Sequence, residues 1–267
     1  MDFHRARRIA AKVAAMGLFA LVLAATSPPS AGITWGVPDP GHPFAGAFLI
    51  LYQGEWLEFC SGSLAAPRVF LTAGHCTDWL TQHAWPVEKI VVSFSPTLFA
   101  PDAVWRNVTA YHDHPDYRWG PTSDPHDVGV LILEDSVTDI TPVNLPSEGF
   151  LDGLATQGLL PDARFLNVGY GTDQDIQETN MREVSVSGFR NLHDAWLYMS
   201  QNIHHGDGGT CYGDSGGPTL YRDAAGVETQ VAVTSWGDSP CKSTNNNYRV
   251  DTAASLSFID EMIRENP

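Results

Sequence analysis

Apolar residues along this chain come in short runs of five to seven, each closed by Gly, Pro, Asn, Asp or Ser. The runs at 47–52 (AFLILY), 68–72, 89–94, 106–111, 128–133 (VGVLIL), 164–168, 183–189, 195–200, 218–222 and 230–236 are rich in Val, Ile, Phe, Tyr and Trp. Each predicts a strand. No segments of 3.6-residue period separate them, so the pattern predicts an all-β fold of antiparallel sandwiches or barrels and argues against βαβ units. One helical stripe stands out near the end, where Leu256, Ile259, Met262 and Ile263 fall on one face, with Asp251 or Thr252 as candidate cap. Residues 142–162, rich in Gly, Pro and Leu, predict an internal boundary. No repeat of 20–50 residues is present, which excludes a solenoid.

The start of the chain reads differently. His4, Arg5, Arg7, Arg8 and Lys12 precede Val13–Ala25, an uncharged apolar run of 13 residues. A membrane-spanning helix needs about 20 residues, so this run predicts a secretory signal rather than an anchor. Small residues near Ala24–Ala25 and near Ser30-Ala31-Gly32 offer two cleavage points. The expectation is a signal peptide and pro-segment over 1–32 and a secreted, extracellular product without a membrane span. Export into an oxidising compartment turns Cys60, Cys76, Cys211 and Cys241 into disulfide candidates, and no C-x-x-C pair argues for zinc. Three pairings of the four are open.

Composition adds one exclusion. The 267 residues carry a formal charge of −16, and removing residues 1–32 (four bases and Asp2) leaves −19. Such a surface repels phosphate backbones, so nucleic acid is not an expected partner.

Candidate chemistry sits at three places. Residues 211–218 read Cys-Tyr-Gly-Asp-Ser-Gly-Gly-Pro. Glycines beside Ser215 let the backbone turn sharply, expose the hydroxyl and aim N–H groups at a developing oxyanion. Gly213-x-Ser215-x-Gly217 alone also matches an α/β-hydrolase elbow, but that fold needs its histidine after the serine, and the last histidine here is His205. Upstream stand Leu71-Thr-Ala-Gly-His75-Cys76 and His126-Asp127-Val128-Gly129-Val130-Leu131. With these motifs in the order His75, Asp127, Ser215, the chain resembles the trypsin/chymotrypsin-like serine endopeptidases over roughly residues 33–265.

That resemblance implies two antiparallel six-stranded β-barrels with the site between them. The first would span 33–147 and carry His75 and Asp127; residues 148–267 would hold a linker, the second barrel with Ser215, and a terminal helix. It implies Ser215 as nucleophile, His75 as general base, Asp127 as its orienting acid, and the N–H groups of Gly213 and Ser215 as oxyanion hole. It implies Cys60–Cys76 and Cys211–Cys241 disulfides, protein or peptide substrates, proteinaceous inhibitors, no cofactor or metal, and action as a monomer. Gly169-Tyr170-Gly171 departs from the family's Gly-Trp-Gly, and the family's further disulfides are missing, as in bacterial-type members.

The resemblance also sketches a specificity pocket of Gly209, Thr210, Ser235, Trp236, Gly237 and Asn246. Gly209 stands where a carboxylate would select Arg or Lys, Gly237 leaves the mouth open, and Thr234 replaces the histidine of glutamate-specific relatives. Large apolar or aromatic residues are therefore expected, with Arg/Lys selection through Asp207 as the alternative. A catalytically silent binding protein on the same fold and an esterase without protein substrates are the other readings. Ile33-Thr34-Trp35-Gly36 is the nearest match to the family's activated N-terminus, so an Ile33–Asp214 activation pair is expected after a cut at Gly32. His112, His114, His126, His204 and His205 are read as loop residues rather than metal ligands.

Overall fold

The computed structural model describes residues 33–120 and 122–267; the targeting-segment reading of 1–32 lies outside the described residues. A two-residue strand, β1 (Val37–Pro38), leads in. Six strands then close a barrel: β2 (Ala45–Tyr52), β3 (Glu55–Ala66), β4 (Val69–Thr72), β5 (Ile90–Ser93), β6 (Trp105–Asp113) and β7 (Gly129–Leu133), in the order β2-β3-β4-β7-β6-β5. Helix α1 (Gly74–Gln82) follows β4, and α2 (Phe150–Thr156) lies in the connection to the second barrel. That barrel comprises β8 (Arg164–Gly169), β9 (Glu183–Leu192), β10 (Trp196–Ser200), β11 (Pro218–Arg222), β12 (Glu228–Gly237) and β13 (Thr244–Arg249). Its order is β8-β9-β10-β13-β12-β11, and β8 closes it by pairing with both β9 and β11. Helix α3 (Ala253–Glu265) ends the chain.

The ten strands expected from sequence are present, within a few residues at their ends. Three more were not legible. β3 interrupts its apolar residues with Glu, Ser and Gly, and β13 is Thr-Asn-Asn-Asn-Tyr-Arg, which no hydropathy pattern marks. Asn245 and Asn247 are nonetheless fully buried, because Asn167, Thr219 and Thr210 receive or supply their hydrogen bonds. The second barrel thus has a polar patch in its interior, in which Asn245 Oδ1 and the Asn245 and Asn247 amide nitrogens are hydrogen-bonded. The first has an apolar one, with Phe48, Leu64, Phe70, Val92 and Leu131 at its centre.

The two ends of the chain cross between barrels. β1 pairs with β9 of the second barrel, Val37 opposite Val184 and Pro38 opposite Glu183. In return α3, capped by the Thr252 hydroxyl, packs Phe258, Ile259 and Met262 against Val69, Leu71 and Val130 of the first barrel and against Val233 and Tyr248 of the second. Each end therefore fastens one barrel to the other and holds the cleft between them.

Candidate active site

Three structural facts bring the candidate triad to that cleft. His75 lies in the first turn of α1, directly after β4. Asp127 immediately precedes Val128 and β7, which pairs with β4 over Val69–Thr72. Ser215 is in the turn before β11, and its carbonyl accepts from Ser61 N of β3 at 2.9 Å. The Cys60–Cys76 disulfide lies against this carbonyl, with Cys76 Sγ at 4.0 Å.

The buried Asp127 carboxylate is the hub. It accepts from His75 N at 2.7 Å, pairs with His75 Nδ1 at 3.0 and 3.2 Å, and accepts from the Ser235 hydroxyl. Burial pushes its pKa up, but the His75 contacts and the Ser235 hydroxyl outweigh this and hold it below the usual carboxylate range. Burial alone would lower His75; Asp127 outweighs it, and the imidazole pKa is raised above 6.5. The Ser215 hydroxyl is half-exposed and makes no hydrogen bond among the described residues. Catalytic hydrogen bonds often tighten only when substrate is seated.

The serine turn depends on two glycines. Gly213 has φ +92° and Gly216 φ +79°, a region glycine adopts without steric cost. A Cβ on Gly216 would stand 2.0 Å from Thr72 Oγ1, and one on Gly213 2.6 Å from Glu58 Oε2. Neither Gly213 N nor Ser215 N is engaged by another group among the described residues. Both donors are thus free for an incoming oxygen. Cys211–Cys241 braces the same turn from β11's approach.

Asp214 is fully buried behind the turn, where its carboxylate accepts from Cys211 N at 2.8 Å and Gly171 N at 2.9 Å. Burial is the main cause that pushes its pKa up to about 8; the two N–H groups offset part, and the Glu183 charge adds to the rise. Ile33 N donates to Glu183 Oε2 at 3.2 Å, not to Asp214. Glu183 thus touches Ile33 and its charge acts on Asp214, a role hidden in the sequence, where it reads only as the first residue of a strand. Glu58 is a second missed acid: burial first, then the charges of Asp214 and Glu178, pushes its pKa well up.

The specificity residues divide. Ser235 turns its hydroxyl to Asp127 rather than to a pocket wall. Asn246 pairs across from Trp236 and faces a groove with Tyr198, while Asn245 is the residue that reaches Thr210 (Oγ1 to Oδ1, 2.8 Å). Asp207 is buried and bound by Arg164 Nη1 at 2.5 Å, in a separate cavity. Asp207 is thus ion-paired to Arg164 and lines a cavity other than the one beside the triad. The base at Gly209 is not open: the fully buried Gln201 side chain fills the space in front of it. Beside the triad lies a cleft of about 410 Å³ with walls of Tyr117, Trp119, Trp196, Tyr198 and Trp236.

Cys60, Cys76 and His75 are close enough to suggest metal ligands, but both sulfurs are spent in a disulfide. His114 and His126 stack at 4.6 Å, next to Asp127 in sequence.

A family profile described as "Trypsin" matches residues 33–259. The chain belongs to the trypsin family. It is a serine endopeptidase with the two-barrel chymotrypsin-type fold and two disulfides. This trypsin-family chain is similar to "Trypsin" of Saccharopolyspora erythraea, 29% identical over 207 residues that cover 74% of this chain and 82% of the relative. It is also similar to "Serine protease ea" of Drosophila melanogaster, 29% identical over 71% of this chain and 55% of the longer fly protein. "Trypsin 5G1" of Aedes aegypti is 28% identical over 67% of this chain and 66% of its own length. Among the described residues of this family member, no helix is long and apolar enough to cross a membrane.

Proposed function

We propose that this trypsin-family member cleaves peptide bonds through an acyl-enzyme on Ser215. His75 takes the hydroxyl proton and passes it to the leaving amine. Asp127 fixes the imidazole tautomer with Nδ1–H toward the carboxylate and stabilises the imidazolium. The N–H groups of Gly213 and Ser215 receive the oxyanion. The observation that carries this reading is the Asp127 carboxylate, which holds both Nδ1 and the backbone N of His75 at the mouth of the Ser215 turn. The aromatic cleft beside His75 supports an extended peptide as substrate. An uncharged primary pocket belongs to the same reading, since Asp207 is committed to Arg164 and the wall at Gly209 carries no acid.

Secretion, with release of Ile33 by a cut after Gly32, completes the proposal. The freed ammonium would start 3.2 Å from Glu183 Oε2, whose charge in turn acts on the buried Asp214 carboxyl. Digestion of casein by the cut protein, abolished in Ser215→Ala and His75→Ala, is the expected result. A protein that binds casein without cleaving it would favour the silent relative, and hydrolysis of small esters alone would favour the esterase.

A further inference from the structure

Ser61 of β3 is fully buried, and its contacts run from the first barrel to the second. Its Oγ donates to Gly213 O at 3.0 Å and accepts from Tyr170 N at 3.0 Å. Its backbone N donates to Ser215 O at 2.9 Å, and its own carbonyl accepts from Thr72 Oγ1 at 2.8 Å. A serine hydroxyl has one proton to give, and here it goes to Gly213. Among the described residues no other donor reaches that carbonyl.

These two grips fall on either side of Asp214, on the residues whose N–H groups are read as the oxyanion hole. Gly213 needs the hold. At φ +92° it sits in a region that glycine occupies about as readily as its mirror, so its own preference does not fix where its peptide groups point. Asp214 is held separately, by Cys211 N and Gly171 N on its carboxylate. The packing around Ser61 leaves little room to shift: a Cβ on Gly217 would stand 3.2 Å from Ser61 Cβ, and one on Gly216 2.7 Å from Ser61 O. Ser61 also follows Cys60, whose disulfide ends at Cys76 beside His75. A short path thus joins the serine turn of one barrel to the imidazole of the other.

We propose that Ser61 is a positioning residue for acyl transfer: its hydroxyl fixes the Gly213 peptide so that Gly213 N meets the developing oxyanion, and its N–H sets Ser215 against His75. Ser61 touches no reacting atom and acts through Gly213 and Ser215. Its effect therefore falls on the transition state, where the oxyanion is formed, more than on substrate binding. This deepens the proposed function and rests on it, since Ser215 is taken as the nucleophile.

The test compares Ser61→Ala with wild type in the full chain cut after Gly32. The probes are a peptide aldehyde and the matching alcohol, both ending in the residue after which the wild type cuts casein best. The aldehyde can add to Ser215 and place an oxyanion in the hole; the alcohol cannot. Ser61→Ala is expected to lower kcat and aldehyde affinity together by about tenfold, short of the roughly 10²–10³ that loss of a donor costs. KM for a peptide amide, alcohol affinity and the acid-limb midpoint of kcat/KM are expected to stay, because the Asp127–His75 pair is untouched. Ser61→Thr, which keeps the hydroxyl, is expected to recover most of the loss, whereas Ser61→Val, of the same shape without it, is not. If Ser61→Ala, or Ser61→Val where Ser61→Ala does not fold, retains wild-type kcat and aldehyde affinity, the inference is overturned. A parallel loss in alcohol affinity and a moved acid limb, or failure of both hydroxyl-free variants to fold, would mark Ser61 as merely structural and overturn it too. A wild-type protein that neither cuts casein nor takes the aldehyde would instead remove the proposed function itself.

Discussion

At the scale of single residues, the site works because one carboxylate does three things at once. Asp127 orients the ring, anchors the start of α1 through His75 N, and takes the Ser235 hydroxyl. Asp127→Asn keeps the shape but offers an amide where Nδ1–H needs an acceptor, so kcat is expected to fall by about 10⁴ with little change in fold; steady-state kinetics beside circular dichroism checks this. Gly213→Ala meets both a positive φ and Glu58, and is expected to cost at least 10²–10³ in kcat, roughly the loss of one oxyanion donor. The raised His75 pKa has a direct reading in pH. The imidazole must be neutral to act as base, so the acid limb of kcat/KM is expected to have its midpoint above 6.5. Removing the Asp127 charge is expected to move that midpoint down. The candidate triad could be picked out in sequence because each of its residues sits in a short contiguous motif. Gln201 and Glu183 could not, since each reads as an ordinary polar residue at the end or start of a strand, and only the packing brings them to Gly209 and Ile33.

At the scale of elements, the short apolar runs announced ten strands because each buries several consecutive residues in a small barrel. β13 escaped because its burial is satisfied by amide hydrogen bonds rather than by apolar surface. α1 escaped because Gly-His-Cys-Thr-Asp-Trp-Leu-Thr-Gln carries no strong stripe and no side-chain cap; its start is held by Asp127 from a distant element. The disulfides belong to this scale. Cys60–Cys76 spans 16 positions and ties β3 to the His75 helix, while Cys211–Cys241 spans 30 and ties the serine turn to the loop after β12. Replacing either pair with Ala is expected to cost about 2–4 kcal/mol by denaturant unfolding, and the second pair is expected to lower activity more, because it holds the Gly213 turn.

At the scale of the whole molecule, two barrels must stay in register for a cleft to exist, and the ends of the chain supply much of that register. Ile33 and β1 dock on the second barrel, and α3 reaches back to the first. The exchange of ends was not legible in the sequence, because it depends on contacts between residues well over 100 positions apart. The buried acids give the uncut chain a signature. The Asp214 pKa of about 8 lies above its ordinary 3.8, so between these values the folded state binds the proton that the unfolded state has released. Stability is therefore expected to fall as pH rises from about 4 to 8. Thermal unfolding of uncut Ser215→Ala should show this slope, and adding Asp214→Asn should flatten it. In the cut protein, Glu183→Gln is expected to reduce kcat by weakening the hold on the Ile33 ammonium.

Catalysis by this site requires that Ser215 be an activated nucleophile. The most direct measurement is intact-mass analysis of the protein cut to begin at Ile33 after reaction with a fluorophosphonate. One adduct per molecule is expected, on Ser215, absent in Ser215→Ala and strongly slowed in His75→Ala. No adduct on the cut protein, or an adduct that persists in Ser215→Ala, would contradict it.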